Sequence, residues 1–68
     1  SFILDAMSVE IVYHASRGNT TLVRRLLEEG VHPDACSANG ETAIFHAALA
    51  GHARIVKLLL KYGADPNR

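Results

Sequence analysis

The chain is poor in cysteine, has no excess of either charge, and lacks any long apolar run. Cys36 is the only cysteine, so no intrachain disulfide can form and no metal site can be built from cysteines. A lone thiol fits a reducing, intracellular setting, cytoplasmic or nuclear. Seven basic residues balance seven acidic ones. There is then no net positive field to draw in nucleic acid or an anionic membrane. The opening Ser1-Phe2-Ile3-Leu4 is too short and uncharged for a signal peptide, and no apolar stretch reaches membrane-spanning length. The first residue is not Met, which leads to the expectation of a piece of a longer protein or a processed product.

What is present suffices for a small folded unit. Hydrophobic residues make up 49% of the 68, an ordinary globular fraction that argues against disorder. The length allows one domain, and one this short buries only about 60% of its unfolded-chain surface. The chain also repeats itself. Shifted by 33 residues, Gly18 falls on Gly51, Gly30 on Gly63 and Pro33 on Pro66. Ala15 falls on Ala48, Val23 on Val56, Leu26 on Leu59 and Leu27 on Leu60. The retained residues are those restricted by backbone geometry or packing, as in a repeat architecture.

Each unit reads as two short helices. The pattern predicts helices near 8–17 and 20–29, then near 42–50 and 53–62. Gly18-Asn19 and Gly51-His52 break the helices within each unit, and Gly30 and Gly63 stop the second helices. Asn19 or Thr20 is a candidate N-cap for the second helix. The stretch 31–41 between the units is an extended turn marked by Pro33 and by Asn39-Gly40. The expected core is Ile11, Ala15, Leu22, Val23, Leu26, Leu27, Ile44, Ala47, Ala48, Ile55, Val56, Leu59 and Leu60.

The second unit reads Gly40-Glu41-Thr42-Ala43-Ile44-Phe45-His46-Ala47-Ala48-Leu49-Ala50-Gly51-His52, then Ile55-Val56-Lys57-Leu58-Leu59-Leu60-Lys61-Tyr62-Gly63-Ala64-Asp65-Pro66-Asn67. In this it resembles the ankyrin repeat family, whose pattern is G-x-T-P-L-H-x-A-A-x-x-G-H followed by I-V-x-L-L-L-x-x-G-A-D-x-N. The first unit resembles it more loosely, through Ala15, Gly18, Leu22, Val23, Leu26, Leu27 and Gly30. Thr42-Ala43-Ile44-Phe45 departs from T-P-L-H, and His46 sits one place too late to replace its His. Arg25 stands where the second unit has Leu58, as in an end-capping repeat whose outer side meets water. The resemblance implies an all-α ankyrin-repeat solenoid fragment, two repeats of a longer protein. The first, degenerate or capping repeat spans about 5–34 and the second about 35–67.

Other chemistry finds little support. His14, His32, His46 and His52 form no i, i+4 pair and accompany no carboxylate in a metal-ligand pattern. Cys36 has no basic cluster or helix N-terminus to activate it. Arg17, Arg24 and Arg25 form a basic cluster, which Glu28 and Glu29 are spaced to neutralise through i, i+4 pairs. No catalysis, no cofactor and no metal are expected.

The resemblance implies a protein–protein interaction module, a scaffold or adaptor, that presents a concave surface of turns and first helices. Its variable positions fall on Ser16, Arg17, Cys36, Ala38, Asn39, Glu41, Leu49 and Ala50, the candidate contacts for a partner protein. Tyr62 is expected to be the exposed aromatic, with no other anchor. The alternative is a regulatory or substrate-docking segment of a larger enzyme or of a ubiquitin-ligase adaptor. On the C-terminal side Leu58 and Tyr62 are expected to be left partly in water. Self-association through that open side, or its cover by Phe2-Ile3-Leu4 folding back, is expected to follow.

Overall fold

The computed structural model describes residues 6–67, and a fold-back of Phe2-Ile3-Leu4 lies outside them. Among the described residues four helices follow one another: α1 (Ser8–Arg17), α2 (Thr20–Glu28), α3 (Ala43–Leu49) and α4 (Ala53–Lys61). Their ends fall within about a residue of the sequence expectation. Among the described residues there is no strand, only an isolated antiparallel bridge between Cys36 and Thr42.

The 33-residue repeat is also a repeat of hydrogen bonds. After α1, the Gly18 N–H bonds the Ala15 carbonyl (3.3 Å) and the Asn19 N–H bonds that of His14 (3.0 Å). After α3, Gly51 bonds Ala48 (3.1 Å) and His52 bonds Ala47 (2.8 Å) in the same way. This paired closure needs a left-handed residue at its turn. Gly18 (φ 78°) and Gly51 (φ 80°) supply it without a side-chain clash. Thr42 caps α3, its Oγ1 accepting from the Phe45 N–H at 3.3 Å. The expected cap on α2 does not form. Asn19 occupies the N-cap position without a capping bond, and its Nδ2 donates to His14 Nδ1 at 3.0 Å.

These helices are too short to be stable alone, and packing holds them. The two first helices, α1 and α3, lie closest, while α2 and α4 meet less fully. Ile11, Ala15, Val23, Leu27, Ile44, Ala47, Ile55 and Leu59 are buried as expected, with Leu26 and Val56 packed at the margin. Val12, Val31, Ala43, Leu58 and Ala64 join them. Leu22, Ala48 and Leu60 do not, and are exposed.

The repeat itself explains the difference. Val12, Ala15 and Leu27 of the first unit are buried beneath the second. Their counterparts 33 residues on, Phe45, Ala48 and Leu60, are exposed. Positions that face forward are covered only where a further unit lies over them. Leu58 corrects the expectation in the other direction. It is 8% exposed, since this position faces back toward the first unit. Arg25, its counterpart in the first unit, is exposed. The C-terminal side is still the apolar one, but Phe45, Leu49 and Leu60 make it so, with Tyr62 39% exposed.

Polar ties cross between the units. His52 Nε2 donates to the Ser16 carbonyl at 3.2 Å, and the Asp65 N–H donates to Asp34 Oδ1 at 2.8 Å. The His52 ring also lies against Gly18, so closely that a Cβ there would meet its Cε1 at 2.8 Å.

Candidate interaction surface

The turn between the units is held by its own side chains. The Ser37 N–H donates to the Glu41 carbonyl at 2.9 Å and the Gly40 N–H to that of Ser37 at 2.9 Å. Ser37 Oγ lies within reach of both Asn39 Oδ1 and the Glu41 carbonyl. Asn39 Nδ2 donates to Glu41 Oε1 at 3.0 Å. His46 Nε2 donates to the same oxygen, also at 3.0 Å. The ring of His46 thus anchors the tip of the turn to α3. It does not stand in for the His of T-P-L-H, whose place Phe45 takes. At 45% exposure, Phe45 projects its ring from α3.

The structure places the eight candidate contact residues in two groups. Cys36, Ala38, Asn39 and Glu41 line the turn; the first three are exposed and Glu41 is half-buried by its hydrogen bonds. Ser16, Arg17, Leu49 and Ala50 lie at the C-terminal ends of the first helices or just beyond. Arg17, Leu49 and Ala50 are exposed, Leu49 to 75%. Ser16 is half-buried, its Oγ donating to the Tyr13 carbonyl at 2.6 Å.

Two aromatics were missed from sequence. Tyr13 is 54% exposed and Phe45 45%, so Tyr62 is not alone. The Arg17 guanidinium lies 5.9 Å from the centre of the Tyr13 ring, a cation–π arrangement that steadies both. The signal was available: the T-P-L-H positions are replaced wholesale in the first unit, and His46 is the 33-residue counterpart of Tyr13.

The expected neutralisation of the arginines does not occur. Among the described residues no Arg–Glu pair comes within 4.0 Å; the ion-pair contacts are His14–Glu10 at 3.7 Å and His46–Glu41 at 3.0 Å. Arg24 and Arg25 are both exposed. Freely solvated arginines gain little from such pairs and lose side-chain freedom by forming them. Among the described residues no three His, Cys, Asp or Glu side chains gather closely enough to hold a metal ion. No helix among them is long and apolar enough to cross a membrane.

Comparison with known proteins agrees with this architecture. A profile of ankyrin repeats (many copies) matches residues 11–60. The chain is 37% identical over 67 residues to the inactive serine/threonine-protein kinase TEX14 of Mus musculus, covering 98% of this chain and 5% of that protein. It is 43% identical over 53 residues to the cyclin-dependent kinase inhibitor 2A of Monodelphis domestica, covering 78% of this chain and 30% of that one. It is 39% identical over 59 residues to the 2-5A-dependent ribonuclease of Mus musculus, covering 85% of this chain and 8% of the enzyme. The chain thus spans only a small part of these relatives' length. No solved structure matches significantly. With the profile covering most of the chain, and relatives above one-third identity along nearly all of it, the chain belongs to the ankyrin repeat family.

Proposed function

We propose that this chain is a protein–protein interaction module whose partner rests on the turn 36–41 and on the ends of the first helices. Ankyrin repeats generally serve as interaction modules, and relatives of this chain include proteins named as kinase inhibitors. The division into repeats at about 5–34 and 35–67 belongs to the same proposal. One observation carries it. The exposed polar residues of the turn are fixed by hydrogen bonds among Ser37, Asn39, Glu41 and His46. A surface ordered before it meets its partner loses less entropy on binding. Asn39 and Glu41 supply polar recognition, and Tyr13 with Arg17 supplies an exposed aromatic contact on α1.

Binding of the intact parent protein to its partner, with and without Asn39→Ala and Glu41→Ala, tests the reading. Loss of roughly tenfold or more in affinity is expected from either. Unchanged affinity in both would leave the turn as support for its neighbours only. A second reading, a regulatory or docking segment of a larger protein, is favoured by the small share of its kinase-like and ribonuclease relatives that the chain spans. The two readings share one surface. Self-association through the apolar C-terminal side is a further proposal.

A further inference from the structure

The less complete meeting of α2 and α4 leaves a groove of about 450 Å³ between the second helices. Arg24 enters it from α2, and Arg54, Lys57 and Lys61 enter it from α4, with Thr20 and Thr21 at one end. Among the described residues no acidic one lines it. This gathers four of the chain's seven Lys and Arg residues at one place, in a chain of net charge zero. All four are exposed, and among the described residues none lies within 4.0 Å of a carboxylate. Arg54, Lys57 and Lys61 are three and four residues apart on α4, so their like charges face one another along one side of that helix. The groove shares no residue with the turn surface described above.

We propose that this groove is a second binding site, which takes an extended acidic polypeptide segment. Residues 54, 57 and 61 lie one above another on α4, a stripe about 10 Å long at the helical rise. An extended chain advances about 3.3 Å per residue with alternate side chains on one side. Some four residues therefore run the length of the stripe, and the carboxylates on its near side meet successive cations. Arg24 closes the opposite wall, where its planar fork suits a carboxylate. Leu58 contributes an apolar patch of lining that is nearly inaccessible to water. Single-stranded nucleic acid is the less suited polyanion. Among the described residues the groove holds no aromatic ring on which bases could stack.

Fluorescence anisotropy with a labelled oligoglutamate peptide and the whole chain tests this. Saturable binding that weakens with salt is expected, with none to an oligolysine peptide of the same length. Arg54→Glu with Lys57→Glu should weaken it roughly tenfold or more. Arg25→Glu, a change of the same charge outside the groove, should leave it nearly unchanged. Circular dichroism verifies that each variant is folded; if the double reversal is not, the pair Arg54→Gln and Lys57→Gln carries the same comparison with a smaller loss. Absence of saturable oligoglutamate binding overturns the proposal. So does an equal loss in Arg25→Glu, or tighter binding of a single-stranded oligonucleotide of equal charge.

Discussion

Gly18 and Gly51 occupy the same place in the two units and hold nearly the same backbone, φ 78° and 80°. Their surroundings differ. A Cβ at Gly51 would meet nothing within 4 Å, whereas one at Gly18 would meet the His52 ring at 2.8 Å. That ring cannot swing away freely, because its Nε2 is bonded to the Ser16 carbonyl. Gly51→Ala should therefore cost only the left-handed backbone strain, about 1–2 kcal/mol. Gly18→Ala should cost that plus the displacement of His52. In a His52→Ala background the excess should disappear, which a double-mutant cycle by chemical denaturation measures. Equal losses at the two glycines would mean that His52 does not lock the units together. Leu59 belongs to the same scale. Its side chain is fully buried, and Leu59→Ala should cost about 2–5 kcal/mol. In so small a domain that loss approaches the whole stability. An unchanged thermal melt would place Leu59 outside the core.

At the scale of elements, the helices were legible because glycine, proline and apolar spacing act locally. The Gly18 and Gly51 breaks, the Gly63 stop and the apolar stripe of α4 each specify backbone without help from distant parts. The core was less legible, because periodicity says which face of a helix is apolar but not whether another unit covers it. Leu60 and Leu27 read alike in sequence; one is covered and the other is not. The turn was legible as a turn, and the bonds that fix it were not. Ser37 is shorter than the Asp that the family usually carries, and His46 stands outside the T-P-L-H motif. The pairing of His46 with Glu41 depends on the angle at which α3 leaves the turn, which spacing does not encode. This pairing can be tested without any partner. His46→Ala should leave the Glu41 side chain held by Asn39 alone and loosen the turn from α3, so the Ser37 and Gly40 amides should exchange with solvent faster while those of α4 do not. Unaltered exchange at Ser37 and Gly40 would show that the backbone bonds alone hold the turn.

Across the whole molecule the two ends differ in chemistry, and the repeat makes the difference measurable. The backward-facing positions filled by Ala43, Ala47 and Leu58 in the second unit are Glu10, His14 and Arg25 in the first. The forward-facing positions filled by Val12 and Leu27 in the first are Phe45 and Leu60 in the second, 45% and 43% exposed. These positions of the first unit are polar, whereas the C-terminal end is apolar around a hollow of about 340 Å³ lined in part by Phe45, Leu49 and Leu60. Copies stacking head to tail would press the Glu10–His14 pair and Arg25 against that apolar end, and the Arg25 charge would be buried without a carboxylate. Copies meeting through their C-terminal ends would bury Phe45, Leu49 and Leu60 on both sides. Such a contact is symmetric and closes at two copies. The chain alone should therefore sediment as a monomer–dimer equilibrium, and its melting temperature should rise with concentration. Leu49→Lys should suppress the dimer and leave the monomer's helix content intact, because this side chain is 75% exposed in the single chain. A monomer at every concentration, with a melt that does not depend on it, would refute association through this end. Assemblies growing beyond two copies would instead refute the symmetric contact.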